Sequence, residues 1–184
     1  LASLSSFFDF LAEQAEDDHW HNPVRWKRHS LKVGRHLPRD VNDDTIQRLF
    51  AVIHDERDRA IFTLMLSAGL RVGEVVQLQL QDLPMIETTI LSRLRVSGKG
   101  DKERITWLTA EAMRPVQAWL GQRPSSSTAN VFLNQRGQPL SVSGIQYRLK
   151  QYCQQAQVQV TCHQLRHTFA RRLAEQGLPI ESLA

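Results

Sequence analysis

Cysteine is scarce: Cys153 and Cys162 are the only two in 184 residues. Two isolated cysteines make neither a zinc spacing nor a disulfide framework, so both are expected to be reduced, buried thiols. Aromatic residues are also few, at 7%. No apolar run approaches the ~20 residues needed to cross a bilayer, which excludes a helical membrane span in these residues; no membrane partner is expected. Residues 1–18 carry Asp9, Glu13, Glu16, Asp17 and Asp18 but no Lys or Arg. No secretory signal peptide is visible, because this first segment lacks a basic start. No glycine-rich run has the spacing of a phosphate-cradling loop, and no cluster of His, Cys, Asp and Glu has that of a metal site. No metal and no cofactor are expected. An initiator Met is missing too, and the sequence opens inside an apolar periodic run, so it reads as a fragment.

Hydrophobic residues make up 41%, enough for one buried core. The length suits one full domain with a piece of another. The net charge of +4 is compatible with a nucleic-acid partner, and its distribution says more than its size. Residues 22–39 hold Arg25, Lys27, Arg28, Lys32, Arg35 and Arg39 and no acid. Leu1, Leu4, Phe7, Phe8, Leu11 and Ala15 recur at helical spacing. Residues 1–22 are therefore expected to hold the last helix of an otherwise missing domain. Residues 23–40, broken by Pro23, Gly34 and Pro38, are expected as a basic linker. Arg25, Lys27, Arg28, Lys32 and Arg35 would there neutralise DNA phosphates, with a solvated tether as the alternative.

The domain over 41–184 reads as mainly helical with a small antiparallel β-sheet. Asn42 or Asp43 can cap a helix with Ile46, Leu49, Phe50 and Ile53 on its apolar face. A buried helix follows over Asp58 to Ala68, with Gly69 as its C-cap, and another over Val72 to Leu78. Two strands are expected at 88–96 and 103–108, joined by the turn residues from Ser97 to Lys102. Val131 to Leu133 is expected as a third. Thr109 caps a helix to about Leu120, with a kink or late start at Pro115. Helices over 142–156 and 162–176 complete the reading, with Gly177 as a stop and Pro179 at the first turn of one more helix.

Three places in this frame could carry chemistry. Arg71 opens a helix beside an apolar segment, where its charge needs a partner, and Glu74 is one turn away. Lys99 sits at the hairpin tip. His163 and Arg166 share a helix face at i, i+3. Each also has an ordinary reading: a helix salt bridge, a turn lysine and a solvated helix start.

The three segments, in this order, resemble the catalytic domain of tyrosine recombinases, the phage-integrase and Xer-like family. The resemblance rests on Ala68-Gly69-Leu70-Arg71-Val72-Gly73-Glu74, on Ser97-Gly98-Lys99-Gly100-Asp101-Lys102-Glu103-Arg104, and on His163-Gln164-Leu165-Arg166-His167-Thr168-Phe169-Ala170. It covers about residues 40–184, and weakly the preceding helix and linker, which it implies are the end of a core-binding domain and an interdomain segment. It implies that Arg71, Lys99, His163 and Arg166 are catalytic. Glu74 would support Arg71, and His167 would pack or orient. Lys102 and Arg104 are expected among the DNA contacts.

In that chemistry a tyrosine hydroxyl attacks a DNA phosphodiester, leaving a 3′-phosphotyrosine and a free 5′-hydroxyl. Two guanidinium forks suit the phosphoryl oxygens, being planar, bidentate and always charged. Lys99 on a hairpin can give the leaving oxygen its proton, with Lys102 as the next candidate, and His163 can bind the phosphate or move the tyrosine proton. The resemblance further implies double-stranded DNA as partner, a homo-tetramer on DNA and a cytoplasmic, nucleoid-associated setting. The family's nucleophile follows the His-x-x-Arg helix, whereas Tyr147 and Tyr152 precede His163, so the 184 residues are expected to bind DNA without cleaving it. A type IB topoisomerase shares the chemistry, and a non-catalytic DNA-binding module of the same fold is the reading from a different class.

Overall fold

The computed structural model describes residues 2–14, 21–25, 41–84, 91–97 and 103–176. The chain divides into two compact units, Leu1–Leu37 and Pro38–Ala184. In the first, helix α1 (Ala2–Gln14) follows the expected periodicity. Asn22 returns to it, its side-chain amide donating to Asp9 Oδ1 at 2.6 Å and to the Ser5 carbonyl at 3.0 Å. Leu4, Phe7 and Phe10 are exposed within this unit.

The second unit is built around helix α3 (Glu56–Ser67). Helix α2 (Asp43–Ala51) precedes it, capped by Asn42, whose Oδ1 accepts from the Thr45 amide at 2.8 Å. α3 begins two residues before Asp58, because Asp55 caps it by accepting from the Asp58 amide. Its Ala60, Ile61, Phe62, Leu64 and Met65 are fully enclosed, while Glu56, Arg59, Thr63 and Ser67 form a partly buried stripe. α5 (Ala110–Gln122) and α7 (Cys162–Glu175) pack against it. α5 runs through Pro115 from its cap at Thr109, so of the kink or late start expected there the late start does not occur. α4 (Val72–Gln77) and α6 (Val142–Gln155) complete the α-helices among the described residues, beside a single 3-10 turn at Leu80–Asp82.

Among the described residues the sheet is a two-stranded antiparallel pair, β1 (Leu91–Ser97) and β2 (Glu103–Thr109), in the register Val96↔Arg104 and Leu94↔Thr106. Alternation sends Leu94 and Val96 inward, opposite Arg104 and Thr106. The expected third strand at Val131–Leu133 is not part of this sheet. Those three consecutive residues are all buried. Their backbone bonds go elsewhere: the Val131 amide donates to the Leu78 carbonyl, and the Leu140 amide to the Phe132 carbonyl. Only isolated bridges form, Gln79 with Asn130 and Leu133 with Pro139.

Asp58, almost fully buried, ties α3 to α6. It accepts from Arg57 at 2.8 Å, from Arg148 at 2.6 Å and from the Tyr152 hydroxyl at 3.0 Å. Tyr152 is thus a core residue, while Tyr147 on the same helix is exposed. Gly177 and Pro179 lie outside the described residues. Among those described, no helix is long and apolar enough to cross a membrane.

Candidate functional site

The site is organised by the turn between α3 and α4. Gly69 ends α3 with φ +63°, a left-handed conformation that favours glycine. A second constraint fixes it there: a Cβ at this position would lie 2.3 Å from Phe169 Cδ1. The turn brings α7 against the end of α3, and the Arg166 guanidinium donates to the Gly69 carbonyl. Two residues on, Arg71 is the N-cap of α4.

Glu74 stands in the third position of α4 and reaches back to its N-terminus, the acidic half of a capping box. Its Oε2 accepts from the Arg71 backbone amide at 2.6 Å, and its Oε1 from Arg71 Nη1 at 2.9 Å. Arg104 arrives from the inner face of β2 and binds the same carboxylate with both terminal nitrogens, at 2.6 and 2.9 Å. Arg166 Nη1 lies 3.9 Å from Oε2. A side chain only 5% exposed therefore carries a carboxylate shared by three guanidiniums, which leaves a net positive cluster. Burial pushes the Glu74 carboxyl up, but the hydrogen bonds and charge of Arg104 and Arg71 outweigh it, and the group titrates below its ordinary range.

The three arginines differ in access. The Arg71 side chain is 55% exposed, whereas Arg104 and Arg166 are 17% and 14% exposed. Burial, then the Arg71 charge, lower the Arg166 pKa from its ordinary value.

α7 begins at its cap Thr161, with Gln164 completing a capping box. This sets His163 and Arg166 one turn apart. His163 Nε2 lies 2.7 Å from His167 Nε2, with the rings edge to face. Burial, then the nearby His167, Arg166 and Arg71, lower the His163 pKa, so the ring is neutral near pH 7 and able to take up a proton. Arg71, His163 and Arg166 line one open concavity, with Val72, Leu149 and Val160 also in its lining. Two fixed cations and a neutral imidazole facing one space suit a phosphate: the guanidiniums match its oxygens and the ring can exchange a proton with a bound oxygen.

Of the other residues singled out by sequence, Glu74 and His167 touch this group directly. Arg25 belongs to the first unit, where it is exposed. Lys27, Arg28, Lys32, Arg35, Lys99 and Lys102 lie outside the described residues. Arg104, expected as a DNA contact, has its guanidinium engaged by Glu74. Sequence reasoning did not foresee that pairing, although a signal was present. Arg104 alternates with Thr106 and Leu108 on the inward face of β2, and a cation on such a face needs a partner. Thr106 itself donates to the Ala68 carbonyl at 3.2 Å, so β2 clasps the same turn twice.

Residues 39–184 match the Phage integrase family. Tyrosine recombinase XerC of Haemophilus ducreyi is 36% identical over 160 residues, covering 83% of this chain and 51% of that protein. Tyrosine recombinase XerC of Vibrio cholerae is 34% identical over 186 residues, covering 96% and 58%. The chain thus spans about half the length of these relatives. Among solved structures, XerA recombinase superposes with a TM-score of 0.70 at 26% identity, covering 99% of this chain and 72% of that one. XerH bound to a palindromic difH substrate, in a post-cleavage complex, gives 0.77 at 21% identity over 95% of this chain and 55% of that one, a likeness of fold.

Proposed function

The chain belongs to the phage integrase family of tyrosine recombinases, and from that premise we propose that it carries the phosphate-handling part of a site-specific DNA recombinase. The protein cuts and rejoins double-stranded DNA through a 3′-phosphotyrosine intermediate. The observation that carries this reading is the convergence of Arg71, Arg166 and His163 on one concavity from segments nearly a hundred residues apart, with Arg71 held by Glu74.

Arg71 and Arg166 bind the non-bridging oxygens of the scissile phosphate and stabilise the charge that builds as the tyrosine oxygen attacks. His163, neutral and oriented by His167, hydrogen-bonds the phosphate or takes the tyrosine proton. Lys99 protonates the departing 5′-oxygen. The nucleophile is a tyrosine other than Tyr152, whose buried hydroxyl is bound to Asp58 and Arg148. The phosphotyrosine bond conserves the energy of the broken phosphodiester, so rejoining requires no external energy source. Lys27, Arg28, Lys32, Arg35 and Arg25 contact the DNA backbone, and joining two duplexes requires four active sites, hence a homo-tetramer on DNA at the nucleoid.

The test is a nicked duplex on which the cleaved strand diffuses away. The intact protein accumulates a covalent protein–DNA adduct without nucleotide, and Arg166→Ala reduces its rate by about 10²–10³. An intact protein that binds duplex but never forms an adduct would favour the non-catalytic reading instead.

A further inference from the structure

We propose that Arg104 is a positioning residue of this site: it saturates Glu74 and so keeps Arg166 turned to the phosphate rather than to the carboxylate. The inference rests on the recombinase reading above and assigns a role opposite to the direct DNA contact expected from sequence.

A carboxylate has two oxygens and about four lone-pair positions. On Glu74 all four are taken: two by the backbone amide and Nη1 of Arg71, two by the terminal nitrogens of Arg104. Arg166 is left at 3.9 Å, beyond hydrogen-bond reach, and donates instead to the Gly69 carbonyl. Glu74 is nearly buried, so its charge is poorly screened and any vacancy on it attracts the nearest cation. Without Arg104 two lone-pair positions open, and Arg166 is the guanidinium within ion-pair reach to fill them. The cluster would also fall from a net charge of +2 to +1, counting three arginines and then two against one glutamate. Both changes weaken the hold on an anion although Arg104 touches no DNA.

The geometry also explains why this residue is an arginine on this strand. Both terminal nitrogens of Arg104 are used at once, a fork that lysine cannot reproduce. Arg104 pairs in register with Val96 at the root of the hairpin, beside Thr106, which holds the Ala68 carbonyl. Arg104 thus ties the base of the hairpin to the helix that presents Arg71.

The discriminating variants are Arg104→Ala and Arg104→Lys in the intact protein, with duplex affinity and single-turnover adduct formation measured separately. A guanidinium displaced by about 1 Å costs about 10²-fold in rate. Both variants are expected to lose roughly that factor in adduct formation while duplex affinity changes by only about threefold, because one phosphate contact is weakened and none is removed from the surface. Lysine is a competent phosphate binder, so a DNA-contact role predicts the reverse: loss in affinity for Arg104→Ala and recovery in Arg104→Lys. Recovery by lysine, or unchanged adduct formation in both, overturns the proposal. Should Arg104→Ala fail to fold, the lysine variant alone decides. If the parent itself forms no adduct, the recombinase reading falls, and Arg104 is then judged by orthovanadate affinity. A loss of about tenfold or more in both variants supports the positioning role, and an unchanged affinity refutes it.

Discussion

Replacing Gly69 by alanine tests the turn on which the whole site hangs. Two costs follow from its geometry. The backbone at φ +63° is left-handed, and an L-residue there loses about 1–2 kcal/mol. The new methyl would lie 2.3 and 2.6 Å from Phe169 Cδ1 and Cε1, so the ring must move away, at about 1–3 kcal/mol for overpacking. Together the loss is about 2–5 kcal/mol, a large part of the 5–15 typical of a domain. Urea unfolding followed by circular dichroism reads it directly. Adding Phe169→Leu separates the two costs: the clash is relieved and about 1–2 kcal/mol of backbone strain remains. Because the Gly69 carbonyl accepts from Arg166, duplex affinity should fall with stability. A loss below about 0.5 kcal/mol, the range of an ordinary surface substitution, would refute the reasoning. So would a cost indifferent to Phe169.

Duplex binding should weaken steeply with salt, and Arg71→Ala or Arg166→Ala should each reduce the slope of log K against log salt by about 1, as measured by fluorescence anisotropy. Glu74→Gln leaves three guanidiniums without their buried counter-charge and should destabilise by about 3–5 kcal/mol at pH 7. Because the Glu74 pKa is lowered on folding, its contribution is in place above the ordinary value of 4.5 and is lost as the pH falls through the folded value, so the gap between parent and Glu74→Gln should close in acid. Tyr152 has the opposite sign: burial, then Asp58, raise its pKa from 10.0 to about 12, so stability should decline as pH rises across that window. Tyr152→Phe should flatten the decline while losing about 1–3 kcal/mol at neutral pH, chiefly from the buried Asp58 that loses a hydrogen-bond donor. Finally, Lys99→Ala should be rescued by a 5′-bridging phosphorothiolate, whose sulfur leaves without a proton. Equal defects on both substrates would shift the role of acid to Lys102.

The helices were legible because their signals are local. Asn42 and Thr109 are caps, and Gly69 a stop, that act within one turn of where they sit. The hairpin was legible for the same reason, through its turn residues. Val131–Leu133 was misread because a short apolar run says only that it is buried, not what its backbone bonds to. Arg71, His163 and Arg166 were legible as a resemblance, whereas the sharing of Glu74 was only half visible. Arg71 is three residues from Glu74, within a helix turn, but Arg104 reaches it across thirty residues, and only the fold decides that meeting. The Asp58 network, with Arg148 ninety residues away, was hidden for the same reason.

The central claim is that Arg71, His163 and Arg166 hold one phosphate between them. A crystal structure of the protein with orthovanadate, a mimic of the pentacoordinate phosphorus, tests it most directly. The account predicts the anion in the concavity these three line, with both guanidiniums and the His163 ring within hydrogen-bond distance of its oxygens. An anion bound elsewhere, or held by Arg71 with Arg166 withdrawn onto Glu74, would contradict it.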